Sequence, residues 1–164
     1  MCLTNRKNAV TSSHIITQRF TIAQSSTCLF VQGMVVKNMS FKVGQTLTVI
    51  GVPNPDATNF SLNIGPNETD IAIHINPRFN AHGDEYVTVC NSFQGGSWCE
   101  EFREGGFPFK QGEKFKIAIT FTPAEFHLDF SDGSQVNFPN RIGANKYNYF
   151  NFGGDVRIKS IEVN

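Results

Sequence analysis

The feature that most constrains the fold of this sequence is a succession of short runs in which apolar and polar residues alternate. The run from Lys114 to Phe121 alternates almost without a break, and a period of two places successive side chains on opposite faces of a strand. No segment carries a sustained apolar repeat of 3.6 residues with helix caps. The pattern therefore predicts an all-β protein whose strands each have one covered face.

The alternating runs continue from residue 33 to residue 164 and are separated by glycines and prolines, including Pro77. Many antiparallel strands either close into a barrel or stack as two sheets, and turn signals roughly every ten residues favour the stacked sandwich. The predicted strands are Met34–Phe41, Thr46–Val52, Asn59–Ile64, Asp70–Asn76, Tyr86–Asn91, Lys114–Phe121 and Val156–Val163.

One hairpin is especially clear in the sequence. Phe126, Leu128 and Phe130 alternate with polar residues, and Val136 and Phe138 alternate in the same way further along the chain. The Asp132-Gly133 pair between them is suited to a tight primed turn, so we predict two paired strands joined by such a turn.

Composition excludes several classes of partner. The 164 residues are 40% hydrophobic and include 16 Phe, which is enough for the core of one domain. Lys plus Arg equals Asp plus Glu at 14 each, so no basic field favours nucleic acid. No apolar run suits a signal peptide or a membrane span. We expect a protein folded in the cytosol that neither inserts into membranes nor binds nucleic acid.

The four cysteines are Cys2, Cys28, Cys90 and Cys99, and they form no C-x-x-C pair. Their wide scatter does not suggest a disulfide framework, so free thiols are expected. We expect Cys90 to be a buried small hydrophobe. If either Cys90 or Cys99 is exposed, its oxidation outside the cell would deform the stretch that they flank or link subunits.

Residues 1–32 differ from the rest of the chain because they are rich in Ser, Thr, Gln and Asn and contain no acidic residue. We predict a flexible N-terminal extension at 1–32 and one folded domain at 33–164. The segment from His14 to Ile22 offers an alternative, since it could pair as an edge strand.

The stretch from His74 to Arg103 gathers forked and planar polar groups around the only tryptophan, Trp98. On a strand, the spacing of His74, Asn76 and Arg78 sends all three side chains to one face. A pyranose presents hydroxyl groups that donate and accept, and a patch of C–H bonds that stacks on a flat ring. These residue types in this arrangement therefore favour a sugar-binding site.

The order His-x-Asn-Pro-Arg at 74–78, then Asn91, then Trp98-x-x-Glu101-x-Arg103 closely resembles the carbohydrate-recognition signature of the galectins, the β-galactoside-binding lectins. The resemblance covers residues 33–164. It implies a jelly-roll sandwich of two antiparallel sheets with a galactoside across the concave sheet. It also implies metal-independent binding of lactose and N-acetyllactosamine on glycoproteins and glycolipids, with no cofactor and no enzymatic activity.

The resemblance also implies a role for each residue. His74, Asn76 and Arg78 would hold the axial 4-hydroxyl of galactose, and Asn91 with Glu101 would hold the 6-hydroxyl. Trp98 would stack on the sugar. The implied binding residues are His74, Asn76, Arg78, Asn91, Trp98 and Glu101.

A second group would reach the adjoining glucose or N-acetylglucosamine. Glu101, held with Arg78 and Arg103, would accept from its 3-hydroxyl. His82 and Asp84 would orient Arg103, with Asp84 as a buried partner of both His82 and Arg103. The implied extended site is therefore His82, Asp84 and Arg103.

Assembly and location also follow from the resemblance. It implies a homodimer built by the first and last strands of the domain, Met34–Val36 and Val156–Val163, which are apolar enough to pair. The 1–32 extension leads into this edge and would block or remodel it. We expect the protein in the cytoplasm and outside the cell, secreted without a signal peptide.

Three other functions remain open. A glycosidase would need two carboxyl groups about 5 to 9.5 Å apart, for which Glu101 with Glu100 or Asp84 are candidates, although neighbouring residues of a strand point to opposite faces. A metal site would use His74, His82, Asp84 and a cysteine, but their spacing matches no zinc motif. A jelly roll that has lost sugar binding is the third possibility.

Overall fold

The structure is a computed structural model that describes residues 18–21 and 33–164. These residues form twelve strands in two antiparallel sheets of six strands each, and no helix occurs among them. The strands are β1 Gln18–Thr21, β2 Met34–Lys42, β3 Thr46–Pro53, β4 Phe60–Gly65, β5 Ile71–Ala81, β6 Asp84–Gln94, β7 Ser97–Trp98, β8 Phe115–Phe121, β9 Glu125–Phe130, β10 Gln135–Pro139, β11 Lys146–Gly154 and β12 Val156–Val163.

The first sheet has the strand order β1-β12-β3-β8-β9-β10, and the second has the order β2-β11-β4-β5-β6-β7. Each strand predicted from the alternating runs is present, and the predicted all-β sandwich is confirmed. Because the described chain contains no helix, none is available to span a membrane.

The core lies between the apolar faces of the two sheets. In β8 the burial alternates residue by residue, and Phe115, Ile117 and Phe121 are each at most 3% exposed. The rings of Phe121 and Phe126 stack with their centroids 4.9 Å apart. Burying one such side chain contributes roughly 1.5 to 3 kcal/mol, so this layer fixes how the sheets sit on each other.

The β9–β10 hairpin is confirmed, but the predicted primed turn is wrong. The Gly133 N–H donates to the Phe130 carbonyl at 3.1 Å, and the Phe130 N–H donates to the Ser134 carbonyl at 3.0 Å. Only Gly133 has a left-handed φ, of 86°, and Asp132 does not. Asp132 instead accepts hydrogen bonds from the Ser134 N–H and hydroxyl. This side-chain bond favours a three-residue loop ending in a left-handed glycine.

Strand β11, Lys146–Gly154, was not predicted, although it lies between β2 and β4 in the second sheet. Its register against β2 shifts between Tyr147 and Tyr149, which breaks the period of two that reveals a strand in the sequence. Gly154 ends the strand at a φ of 78°, and a Cβ there would lie 2.8 Å from the Cα of Phe60. Glycine is required at this close approach.

Strand β1 pairs with the outer edge of β12, from Gln18 opposite Val163 to Thr21 opposite Ser160. These four residues adopt the edge-strand alternative that the sequence left open for His14–Ile22. The predictions for 1–17 and 22–32, including free thiols at Cys2 and Cys28, lie outside the described residues. Part of the β12 edge assigned to dimerisation is therefore covered by the chain's own backbone.

Candidate functional site

Strand β5 provides one side of the candidate site. His74, Asn76 and Arg78 lie on the face opposite Ile75 and Phe79, which are part of the hydrophobic core. Their common face agrees with the spacing of two. The prediction that Pro77 is a turn residue is wrong, because Pro77 lies inside β5 opposite Thr88 of β6.

The side chain of Asn76 takes the place of a missing backbone donor. Leu62 pairs with Ile75, and Phe79 donates to the Thr58 carbonyl, so the register places residue 77 opposite Phe60. Proline has no N–H to give to the Phe60 carbonyl. The Asn76 Nδ2 donates to that carbonyl at 2.7 Å instead, which keeps it paired and fixes the orientation of the amide.

His74 is held as a neutral hydrogen-bond acceptor. Its Nδ1 lies 2.6 Å from the Oδ1 of Asn63 on β4, so Nδ1 carries the proton and Nε2 is unprotonated. Burial, reinforced by the positive charge of Arg78 and opposed by Glu101, lowers the pKa of His74 to about 4. His74 can therefore accept a hydrogen bond from a ligand hydroxyl at neutral pH.

Arg78 and Arg103 form a closed ring of charges with two carboxylates. Arg78 donates to Asp84 at 2.6 Å and to Glu101 at 3.2 Å. Arg103 donates to the other oxygen of Asp84 at 2.6 Å and to the second oxygen of Glu101 at 2.5 Å. Its Nε reaches the same Glu101 oxygen at 3.1 Å. The ring has no net charge and orients donors and acceptors together.

The ring holds both carboxylates ionised. Hydrogen bonds from Arg103 and then Arg78 lower the pKa of Asp84. For Glu101, partial desolvation raises the pKa, but the hydrogen bonds from both arginines outweigh it and the net pKa is lowered. Both groups can therefore accept hydrogen bonds at neutral pH.

Trp98 provides an apolar surface beside the polar groups. It lies on β7 and is 51% exposed. Its ring centroid is 4.7 Å from that of His74 and 5.1 Å from that of Phe93. Among the described residues the other exposed large hydrophobics are Val35 and Tyr86. The indole thus leaves much of its surface open to a ligand while its neighbours fix its position.

Trp98 is followed by a segment that forms no regular strand. The Cys99 N–H donates to the Ser92 carbonyl at 2.9 Å, and Phe102 exchanges two backbone hydrogen bonds with Cys90, at 2.8 and 2.7 Å. Glu100 and Glu101 lie between these points. The two-faced strand geometry expected for that pair is therefore wrong.

Asn91 lies largely behind this segment. Its side chain is 3% exposed, and Nδ2 donates to the Cys99 carbonyl at 2.9 Å. Its Oδ1 accepts from the Ser92 N–H at 2.8 Å. Asn91 therefore orients the segment after Trp98, and its second amide hydrogen is the group that a ligand would have to use.

His82 is placed differently from the expectation that it pairs with Asp84. His82 and Gly83 form the two-residue turn between β5 and β6, with φ values of 56° and 81° typical of a primed turn. This turn puts His82 at the exposed tip. In the described chain Asp84 pairs with Arg78 and Arg103, and no hydrogen bond joins it to His82.

The structure shows the environments of two cysteines and bears on the alternative of a metal site. Cys90 is buried, and burial raises the pKa of its thiol to about 12. Cys99 is exposed, and both are free thiols. Over 18–21 and 33–164, no group of three or more His, Cys, Asp or Glu residues is arranged to hold a metal ion.

Sequence reasoning missed Asn63, the partner of His74. The polar residues Ser61 and Asn63 alternate with apolar ones along β4, which indicates that they face away from the core. Only the register of β4 against β5 shows that Asn63 lies beside His74.

Known proteins resemble the chain in sequence and in fold. Residues 29–163 match the family of galactoside-binding lectins. A β-galactoside-binding lectin of Electrophorus electricus is 56% identical over 133 residues, which cover 81% of this chain and 98% of that protein. The crystal structure of a Dario rerio galectin-1-L2 is 59% identical with a TM-score of 0.77, covering 79% of this chain and 98% of that one.

A second solved structure is CG-16, a homodimeric agglutinin from chicken liver, with 39% identity and a TM-score of 0.77. The match covers 81% of this chain and 100% of that one, so the remaining 19% of this chain has no counterpart there. The sequence matches and the structural matches cover similar shares of the chain. The protein therefore belongs to the galactoside-binding lectin family, the galectins.

Proposed function

We propose that this protein binds β-galactosides such as lactose and N-acetyllactosamine on glycoproteins and glycolipids, without a metal ion. The observation that carries the proposal is the exposed ring of Trp98, whose centroid lies 4.7 Å from the ring centroid of His74, a neutral hydrogen-bond acceptor. Beside them lies the charge ring of Arg78, Asp84, Glu101 and Arg103. A flat apolar surface next to fixed donors and acceptors matches the two faces of a pyranose.

The proposed site distinguishes galactose from glucose through its 4-hydroxyl. With the C–H face of galactose on Trp98, an axial 4-hydroxyl would donate to the Nε2 of His74 and accept from Arg78. An equatorial hydroxyl would leave the partly buried His74 and the buried Arg78 without this ligand partner, which costs affinity. Glu101 and Arg103, which are more exposed, would contact the adjoining sugar of the disaccharide.

We also propose that the site binds and does not hydrolyse its ligand. A glycosidase needs one carboxylic acid whose pKa is raised so that it can protonate the leaving group. The pKa values of Asp84 and Glu101 are lowered by the same two arginines. These carboxylates therefore suit hydrogen bonding to hydroxyl groups.

We further propose that the protein is a homodimer that crosslinks glycoconjugates in the cytoplasm and outside the cell. The similar chicken agglutinin is homodimeric. Two sites on one particle raise avidity without new contacts. Since β1 covers part of the β12 edge, a dimer at that edge has to accommodate β1. A single monomeric mass in sedimentation at tens of micromolar would contradict the dimer.

Titration calorimetry tests the binding proposal. Lactose and maltose are titrated in EDTA and reductant into the wild type, Trp98→Ala and the control Tyr86→Ala. Tyr86 is also an exposed aromatic residue, at 65%, but it contacts Phe107 instead of the site. We expect saturable binding of lactose alone, lost in Trp98→Ala and kept in Tyr86→Ala. A folded wild type that ignores lactose would favour a jelly roll that has lost sugar binding.

A further inference from the structure

Arg141 lies behind the candidate site, in the connection between β10 and β11. Its Nη1 donates to the Glu100 carbonyl at 2.9 Å and is 3.3 Å from the Ser92 Oγ. The same nitrogen is 3.4 Å from the Oδ1 of Asn91. Its guanidinium carbon lies 4.8 Å from the ring centroid of Phe138. One cation therefore contacts strand β6 and the segment after Trp98 together.

The Glu100 carbonyl lies in the least supported part of the site. Backbone hydrogen bonds tie the segment to β6 at Cys99 and at Phe102, but not at the two residues between them. Within the described chain, the Glu100 carbonyl accepts its hydrogen bond from the side chain of Arg141. Trp98 and Glu101 lie two residues before and one residue after this point.

Arg141 is itself fixed by apolar contacts. Its guanidinium covers the face of Phe138, which is fully buried, and Phe138 meets the edge of Phe102 with a centroid distance of 6.3 Å. A planar guanidinium stacks on an aromatic ring while its N–H groups reach several acceptors, and an ammonium group does this poorly. The position therefore selects arginine over lysine.

We propose that Arg141 is a positioning residue for galactoside binding. By holding the Glu100 carbonyl and the Asn91 amide together, it sets the position of Trp98 and Glu101 relative to the β5 residues. Arg141 has no role in contacting the sugar. This inference rests on the proposed function, because a change in the site matters only if the site binds a galactoside.

The test compares Arg141→Lys and Arg141→Gln with the control Arg157→Lys. Arg157 is exposed on β12. Lactose affinity is measured by calorimetry, thermal stability by the unfolding midpoint, and the environment of residue 98 by its fluorescence. Trp98 is the single tryptophan, so its emission reports this segment alone.

For Arg141→Lys we expect a loss of lactose affinity of at least about tenfold, together with a shifted Trp98 emission, in a protein that remains folded. Arg141→Gln should bind at least as weakly, and Arg157→Lys should match the wild type in every readout. Wild-type affinity in folded Arg141→Lys would overturn the proposal. So would an unchanged emission from its folded state.

Failure of the proposed function gives a different result. In that case the wild type itself would not bind lactose, while the Trp98 emission of Arg141→Lys would still shift if Arg141 positions the segment. Normal lactose binding by the wild type with no change in the Arg141 variants would leave the proposed function intact and remove the role of Arg141.

Discussion

The two halves of the candidate site are held in place by different forces. The strand half, His74, Asn76 and Arg78, is fixed by the ladder between β4, β5 and β6 and is mostly buried. The other half, called the turn half here, consists of Trp98, Glu101 and Arg103. It is more exposed, and side-chain contacts hold it in place. The strand half should therefore couple binding to stability, whereas the turn half should affect binding with little cost in stability.

The largest effect is expected for Arg78→Ala. The Arg78 side chain is 9% exposed, and its loss removes a partner from Asp84, Glu101 and Asn76 at once. Lactose binding should be abolished, and the free energy of unfolding should fall by about 3 kcal/mol, measured by urea denaturation.

Arg103→Ala is the matched control, because Arg103 bonds the same two carboxylates while 45% exposed. Its loss should lower the free energy of unfolding far less than the loss of Arg78 does, because solvent screens an exposed ion pair. Equal losses of unfolding free energy in Arg78→Ala and Arg103→Ala would show that burial does not make the strand half more important for stability than the turn half.

Trp98→Ala should have the next largest effect on binding and almost none on stability. The side chain is half exposed, so truncation removes the stacking surface but leaves the core unchanged. We expect at least about tenfold weaker lactose binding and a change in unfolding free energy below about 1 kcal/mol. If Trp98→Ala unfolded at a far lower urea concentration than the wild type, the proposed division between a stabilising strand half and a binding turn half would be wrong.

Asn63→Ala tests the support of the strand half. The variant removes the acceptor that holds the Nδ1 proton of His74, so both the tautomer and the ring orientation become less fixed. Lactose affinity should fall about fivefold, measured by calorimetry. Asn151→Ala is the control, since Asn151 of β11 lies opposite Asn63, whereas the Nδ1 of His74 bonds to Asn63. The same loss in both variants would argue against this role of Asn63.

The smallest effect is expected from pH near neutrality. His74 has a folded pKa of about 4, below its ordinary value of 6.5, so the unfolded chain binds more protons between these values. Its stabilising contribution is complete above pH 6.5 and is lost as the pH falls towards about 4. The lowered pKa values of Asp84 and Glu101 act in the same direction at lower pH.

Lactose affinity should therefore stay nearly constant from pH 8 to about 5.5, because His74 remains a neutral acceptor, and should decrease towards its pKa of about 4. Calorimetry across this range, with unfolding measured at each pH, separates loss of binding from loss of fold. A binding midpoint near the ordinary histidine pKa of 6.5 would contradict a partly buried His74 that is neutral at pH 7.

Patterns within one strand and the pairing of β9 with β10 across a short loop were predictable from the sequence, whereas pairing between strands distant in the chain was not. The alternation in β8 predicted which residues are buried, and the spacing of His74, Asn76 and Arg78 predicted their common face. Strand β11 escaped because its register shift interrupts the alternation. The resemblance to galectins named the residues of the proposed site, but it implied a contact of Asp84 with His82, whereas in the described chain Asp84 pairs with Arg78 and Arg103.

The sequence by itself determined the all-β class, the family and the residues that bring polar groups to one face of β5, because these depend on local period and residue type. Tertiary structure alone decided that Asn63 orients His74 and that Arg141 holds the Glu100 carbonyl, 41 residues away in the chain. It also decided that the Asn76 amide replaces the missing donor of Pro77. Such contacts depend on the register and packing of separate segments, which no local pattern encodes.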